Sequence, residues 1–351
     1  MKGKALIAMS GGVDSSVAAL LTLREGYECI GVTMNLFGSD EAESKCCSLD
    51  DVLDAKSVAK KLHIPHYTFN FKADFEKSVI KPFVEAYERG ATPNPCICCN
   101  RYLKFAALFL RAKELGCEYI VTGHYARIEK TGDKYKLLRA LDRGKDQSYV
   151  LYSLTQEELA HTLFPLGDRT KEQTRAIAEK EDFVSADKPD SQDICFIPDG
   201  DYASFIRSRT GKEYPEGDFV DLSGNVLGRH KGIINYTVGQ RKGLGIALGA
   251  PAYVKEIDPQ SNRVVLCKNE ELFTYELHAD DFNWISREAP EGEIECDACV
   301  RYRGVLKPAI AVALPDGRVR VRFKEPQRAV TRGQAAVLYR GDEVLGGGTI
   351  I

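Results

Sequence analysis

The chain is 351 residues long and 44% hydrophobic, ample for two or three domains of the usual ~100–200 residues. Its 48 Lys and Arg against 51 Asp and Glu give a net charge of −3, which excludes a uniformly basic chain and leaves any nucleic-acid surface to a local patch. No run of about 18 apolar residues occurs, and "MKGKALIAMSGGVD" turns polar too soon for a signal peptide, so a cytoplasmic protein without a membrane span is expected.

"KALIAM" is short and apolar, as a buried parallel strand should be, and Val17, Leu20, Leu21 and Arg24 then recur at helical spacing until Gly26. Between them "SGGVDSS" makes a small polar turn, with no side chain at Gly11 or Gly12 to block approach to its backbone N–H groups. Such a turn is an anion cradle suited to phosphate; a plain helix cap by Ser15 or Ser16 is the alternative. It has neither the lysine of the Walker pattern nor the spacing of GxGxxG.

"ECIGVTMNLF" follows as a strand, then a helix with Val52, Ala55, Ala59 and Leu62 on one face behind a Ser48 cap, then the strand "PHYTFNF". A helical "FEKSVIKPFVEAYERG" leads into "TPNPCICCNRYLKF". A helix is predicted from Leu103 to Leu115, and "YIVTGH" is another buried strand. Repeated βα units place the chain in the α/β class, with a doubly wound parallel sheet whose ligands lie at the carboxyl ends of the strands. Ser10 to Ser15, Met34, Cys96 to Cys99 and Gly123–His124 are expected to converge there. A Thr170/Gln173 capping box opens a helix running to Lys180, and "DSQDICFIPDGDY" is irregular. The first domain is placed at residues 1–201, a small central β-rich domain at 202–271 and a C-terminal antiparallel β-barrel with a "PDG" hairpin turn at 272–351.

Eleven cysteines in a reducing compartment mean thiol chemistry or metal rather than a disulfide framework. Cys29, Cys117 and Cys267 lie in apolar segments and read as packed small hydrophobes, while Cys46–Cys47 is left undecided. Cys296 and Cys299 would point to opposite faces of a strand, too far in sequence from "CICC" for a zinc ribbon. Cys99, near a helix start, and Cys195, in an irregular polar segment, are the candidate nucleophiles or ligands. His124 suits either a nucleotide site or a satisfied strand end. Arg318, Arg320 and Arg322 alternate along one strand and so share a face, in a domain that also holds Arg301, Arg303, Lys307, Arg328 and Arg332.

"SGGVDS" resembles the PP-loop of the ATP pyrophosphatases, which split ATP between its α and β phosphates. Together with "TPNPC.CCN..LKF", "TGHYAR", "KDQSYVL", "D.CFI", "GQRKGLG" and "GDEVLGGGTI", it resembles the MnmA-type tRNA 2-thiouridylase family over essentially the whole chain. The resemblance implies an adenine nucleotide alpha hydrolase-like first domain and ATP-dependent adenylation of C2 of the wobble uridine, followed by sulfur transfer. Ala8, Met9, Ser10, Gly11, Gly12, Val13, Asp14 and Ser15, with Met34 and Gly123, would hold ATP and its Mg2+. Asn94, Pro95 and Cys96 would face the target base, while Lys145, Asp146, Gln147, Arg301, Tyr302 and Arg303 would meet the tRNA anticodon stem-loop. The KDQ stretch read without the family is an ordinary polar turn. Cys195 would carry a persulfide and Cys99 would release its sulfur, supplied by a donor or relay protein of a cysteine desulfurase pathway or by inorganic sulfide.

This chain has Cys96 where the better-known family form has aspartate. Cys96, Cys99 and Cys195 could then ligate three irons of a 4Fe-4S cluster, its fourth iron holding a hydrosulfide. The contrary reading keeps the persulfide relay, with Cys96 as a spare resolving thiol. Three rivals remain: an amidotransferase-coupled small-molecule PP-loop synthetase, a non-catalytic RNA-binding protein, and a paralogue thiolating another RNA.

Overall fold

The computed structural model describes residues 2–37, 49–189, 194–285 and 288–351; Cys46, Cys47 and Ser48 lie outside them. Contacts divide the chain into two units, residues 1–79, 96–200 and 341–345 in the first and 80–95, 201–340 and 346–351 in the second.

In the first unit β1 (Lys4–Ala8) leads into α1 (Val13–Arg24), followed by β2 (Glu28–Asn35), α2 (Leu49–Lys61), β3 (His66–Asn70) and the short α3 (Lys72–Phe75). After the second unit's α4 (Lys81–Glu88), the chain returns through a helical turn α5 (Pro95–Cys98), a π-helical stretch Cys99–Ala107 and α6 (Leu108–Glu114) to β4 (Tyr119–Val121). The hairpin β5 (Ala126–Thr131) and β6 (Lys134–Arg139), the short α7 (Gln156–Ala160), β7 (Thr162–Leu163) and α8 (Lys171–Lys180) complete it.

Five parallel strands line up as β3-β2-β1-β4-β7. The strand order reverses between β1 and β4, and a doubly wound sheet binds its ligands outside the carboxyl ends at that switch point. Leu6 and Ile7 of β1 and Val121 of β4 are wholly buried because helices cover the sheet. Thr170 caps α8 with Gln173 reaching back, as the sequence signature requires. The helix predicted from Leu103 instead begins at Pro95, so the cysteines occupy its first turns. Proline at the first position is preset for helix, which the sequence reading passed over.

In the second unit α9 (Tyr202–Thr210) precedes β8 (Gly217–Val220), β9 (Val226–His230), β10 (Tyr253–Asp258) and β11 (Arg263–Cys267), a sheet in the order β10-β11-β8-β9. Residues 80–95 pack here rather than with the parallel sheet. Tyr87 stacks on Tyr202 at 4.8 Å, and the Thr92 N–H donates to the Arg332 carbonyl at 2.8 Å. Strands β12 (Phe273–Trp284), β13 (Glu293–Cys299), β14 (Lys307–Ala313), β15 (Val319–Arg328), β16 (Ala335–Arg340) and β17 (Glu343–Ile350) form an antiparallel barrel that β12–β17 pairing closes. Val319, Val321 and Phe323 alternate inward along β15, which places the intervening basic residues outside.

Candidate active site

The turn between β1 and α1 is built from backbone. Gly12 is the N-cap of α1 and offers no side-chain cap, so the first-turn N–H groups face outward without an acceptor from it. Ser15 and Ser16 do not cap the helix. Their hydroxyls donate back to the Gly12 carbonyl at 3.1 and 2.9 Å, and Ser15 Oγ accepts the Ser10 N–H at 3.1 Å. Gly11 has φ +75°, and a Cβ there would stand 2.3 Å from the Asp51 carbonyl oxygen of α2. A Cβ on Gly12 would meet nothing nearer than Ser10 Oγ at 3.6 Å. Gly11 is therefore demanded by the fold, whereas the space over Gly12 is left for something else. Gly123, just past β4, lies so close to the Asp14 and Ser15 backbone that a Cβ would approach to 2.8 Å. Ala8, Met9 and Val13 flank the turn, with Met9 and Val13 buried, and Met34 lies buried near the carboxyl end of β2.

Asp14, in the first turn of α1, is held by two residues that sequence reasoning missed. The Lys171 ammonium donates to both its oxygens at 2.7 and 2.9 Å, and the Tyr125 hydroxyl donates to Oδ1 at 2.9 Å. A signal for Lys171 existed: it sits in the first turn of α8, where the helix dipole disfavours a cation, so a local carboxylate is the reason for it. Asp146 and Gln147, expected to meet RNA, use their acceptors internally. Asp146 takes the Ala140 N–H, the Arg139 guanidinium and the Ser148 N–H and hydroxyl, and Gln147 Oε1 takes the Tyr125 N–H at 2.9 Å. His124 lies in the core beside Phe105 and Phe164, its Nδ1 2.7 Å from Thr122 Oγ1. Burial, with Lys104 adding to it, holds the imidazole neutral well below its ordinary range. It is a packed strand-end histidine.

Cys96 and Cys99 are three residues apart where α5 meets the π-helical stretch and so share a face, with Cys96 exposed and Cys99 half-buried. Cys98, two positions on from Cys96, points elsewhere. Asn100 fixes the helix behind them by donating to the Val150 carbonyl at 3.0 Å. Asn94 is half-buried and Pro95 buried at the entry to that turn. Cys195 lies half-buried in a turn anchored by its neighbours: Phe196 packs on Phe75 at 5.7 Å, and Ile197 is buried. Lys188 pairs with Asp51 at 2.8 Å and Asp54 at 2.5 Å on α2. Among the described residues no three His, Cys, Asp or Glu side chains stand together as metal ligands. Among the other described thiols, Cys29, Cys117, Cys267, Cys296 and Cys299 are structural. Burial raises the pKa of Cys29 to about 11 and of Cys296 to about 12, raises those of Cys117 and Cys267, and Cys299 donates to the Arg301 carbonyl at 3.1 Å.

Residues 3–199 match the family model described as the tRNA methyl transferase HUP domain, 203–268 its PRC-barrel domain, and 274–350 an aminomethyltransferase beta-barrel domain. The tRNA-specific 2-thiouridylase MnmA of Carboxydothermus hydrogenoformans is 52% identical over 99% of this chain and 97% of its own length. Those of Acetivibrio thermocellus, 52% identical, and Clostridium botulinum (strain Alaska E43), 50% identical, match over 99% of this chain and 99% and 98% of theirs. The chain belongs to the tRNA-specific 2-thiouridylase MnmA family.

For a MnmA-family chain, the exterior of the barrel corrects the sequence reading. Arg318, Arg320 and Arg322 do share the outer face of β15, but it is a mixed-charge face. Arg318 pairs with Asp316, Arg322 with Glu293 at 3.5 Å, Lys324 with Glu295 at 3.5 Å and Lys307 with Glu325 at 3.0 Å. The loop after β13 is different: Arg301 and Arg303 are exposed, the Arg303 guanidinium lies over the Tyr302 ring at 5.4 Å, and Val305 beside them is 76% exposed. An aromatic ring with a guanidinium on it, next to a bare apolar side chain, is chemically able to stack on a base and to meet a phosphate. No described helix is long and apolar enough to cross a membrane.

Proposed function

We propose that the chain, a MnmA-family 2-thiouridylase, acts in the cytoplasm on the wobble uridine of tRNA, converting it to 2-thiouridine with release of AMP and pyrophosphate. The observation that carries this reading is the phosphate turn with open space over Gly12, in a chain about half identical to named 2-thiouridylases from end to end. The HUP family is described as a tRNA methyl transferase, for which an ATP-splitting turn has no use.

The chemistry follows from the leaving group. The uridine C2 oxygen attacks the α-phosphorus of ATP and expels pyrophosphate, which the turn's N–H groups hold. A persulfide on Cys195 then attacks C2 with its terminal sulfur, and AMP departs. The Cys99 thiolate next attacks the Cys195 sulfur, freeing 2-thiouridine and leaving a Cys99–Cys195 disulfide for an external dithiol to reduce. Asp14 is the turn's carboxylate that would face Mg2+ carried by the nucleotide, in place of its present bonds to Lys171 and Tyr125, and the ion would there offset phosphate charge. In this reading sulfur passes through the relay, and Cys96 serves as the spare thiol on the Cys99 face. The wobble base must leave its stack to be reached, and Asn94, Pro95 and Cys96 are assigned to receive it. Residues 1–201, 202–271 and 272–351 act as catalytic, central and RNA-contacting domains. The RNA contacts are assigned to the Arg301–Arg303 loop and to Lys145, whose neighbours Asp146 and Gln147 brace its turn. The sulfur donor is a persulfide-bearing protein of a cysteine desulfurase pathway.

The test is direct. Purified protein with Mg2+, ATP, unmodified tRNA and either a persulfide donor or inorganic sulfide is digested to nucleosides and analysed by mass spectrometry. AMP together with 2-thiouridine is expected in the persulfide arm. AMP formed without tRNA and without any thionucleoside would return the chain to the small-molecule synthetases, and product from sulfide alone would remove the persulfide step.

A further inference from the structure

Two separate threads tie the turn 142–147 to the Asp14 carboxylate, all within the first unit. In one, the Lys171 backbone N–H donates to Asp142 Oδ2 at 3.0 Å while its ammonium donates to both Asp14 oxygens at 2.7 and 2.9 Å. In the other, Gln147 and Tyr125 exchange bonds, the Tyr125 N–H to Gln147 Oε1 and the Gln147 N–H to the Tyr125 carbonyl, both at 2.9 Å. The Tyr125 hydroxyl then donates to Asp14 Oδ1 at 2.9 Å.

The turn itself is stiff. Asp142 Oδ1 takes the Gly144 N–H at 3.0 Å, the Asp142 carbonyl takes the Lys145 N–H at 3.1 Å, and Asp146 Oδ1 takes the N–H groups of Ala140 and Ser148 at 3.0 and 3.2 Å. A push on such a turn is not absorbed locally, so it reaches Lys171 and Tyr125. At the other end the Lys171 ammonium occupies both Asp14 oxygens, so Mg2+ brought by a nucleotide would have to displace it, and a shift of Lys171 would then change nucleotide affinity.

We propose that Lys171 and Tyr125 are positioning residues coupling RNA docked on the turn 142–147 to Mg·ATP at Asp14, so that each substrate tightens the binding of the other. This rests on the reading that Lys145 and its turn meet the tRNA. It would keep ATP from being split before an acceptor base is present.

Calorimetry with Mg2+ and the uncleavable αβ-methylene analogue of ATP, with and without an unmodified tRNA transcript, tests it. In the wild type tRNA is expected to lower the analogue Kd roughly five-fold or more, and the analogue to lower the tRNA Kd by the same factor. Tyr125→Phe, Asp142→Asn and Lys171→Gln should still melt cooperatively and bind tRNA, yet lose most of that factor, while Lys171→Arg retains part of it. tRNA that binds the wild type without changing the analogue Kd overturns the coupling, as does an unaltered factor in Tyr125→Phe and Asp142→Asn; both outcomes leave the proposed function standing. A wild-type protein that does not bind tRNA takes down both.

Discussion

The phosphate turn and the helical segment from Cys96 onward belong to one unit, yet they are built on opposite principles. The turn works through its backbone: Gly11 is fixed by a near contact with α2, the serines fold back on the Gly12 carbonyl, and Asp14 is held at both oxygens. The thiol segments work through side chains left partly accessible on anchored backbone. Asn100 and Phe196 are buried and bonded or packed, while Cys99 and Cys195 between such anchors stay half-exposed. A backbone site must be rigid to aim dipoles, whereas a sulfur relay needs a thiol that can be reached and can move.

Two neighbouring glycines break this comparison most sharply. Gly12→Ala should leave thermal stability unchanged and lower AMP formation by ~100-fold or more, because the methyl enters the phosphate space and meets only Ser10 Oγ, at an ordinary contact distance of 3.6 Å. Gly11→Ala should instead lower the melting temperature by several degrees, since a Cβ there meets the Asp51 carbonyl at 2.3 Å and φ is +75°. Melting curves and AMP release on the two variants decide it; equal stability loss in both would mean that Gly12 too is merely structural.

The turn was legible because glycine pairs report backbone demands directly, and the parallel sheet because apolar strands alternate with helical spacing. Tyr125 escaped because pairing across 111 residues leaves no local pattern, and Lys171 because its one local sign, a cation in the first turn of α8, does not point to a partner 157 residues away. The basic face of β15 was legible as geometry and misleading as electrostatics: alternation placed the arginines outside, but Glu293 reaches Arg322 and Glu295 reaches Lys324 from another strand.

At the thiol end, Cys99→Ser and Cys195→Ser should each reduce thiolation by roughly 1,000-fold while leaving the Kd for the Mg2+ complex of the ATP analogue within about two-fold of wild type. Cys117→Ser and Cys296→Ser should change stability and leave thiolation intact, because burial keeps those thiols protonated. Quantified 2-thiouridine separates the pairs. A Cys195→Ser enzyme with full activity would dissolve the relay.

RNA contacts give a smaller, graded effect. Arg301→Glu with Arg303→Glu should weaken tRNA binding and flatten its salt dependence by about one unit of log–log slope per lost phosphate contact. Reversing Arg318, Arg320 and Arg322 together should cost less, because Asp316 and Glu293 already neutralise part of that face. Filter binding across a salt series ranks the two, and a steeper loss from the β15 triple would restore it as the phosphate track.

The smallest effect is the pH dependence of the core beside the cradle. Burial lowers the pKa of His124 well below 6.5, Lys104 adding to it, so the folded chain refuses a proton that the unfolded chain accepts. The stability gained by keeping the ring neutral is therefore fully present above pH 6.5 and is lost as pH falls towards the folded value, by ~1.4 kcal/mol per pH unit for one proton. His66 and His230, also lowered chiefly by burial, tilt the curve the same way. Urea unfolding from pH 7.5 down to 5.5 should thus show a falling midpoint in the wild type and a shallower fall in His124→Gln, which keeps a polar end facing Thr122 but has no proton to gain. Parallel curves for the two proteins would mean that His124 titrates freely, and with it would go the assignment of this histidine to the core rather than to the reacting groups.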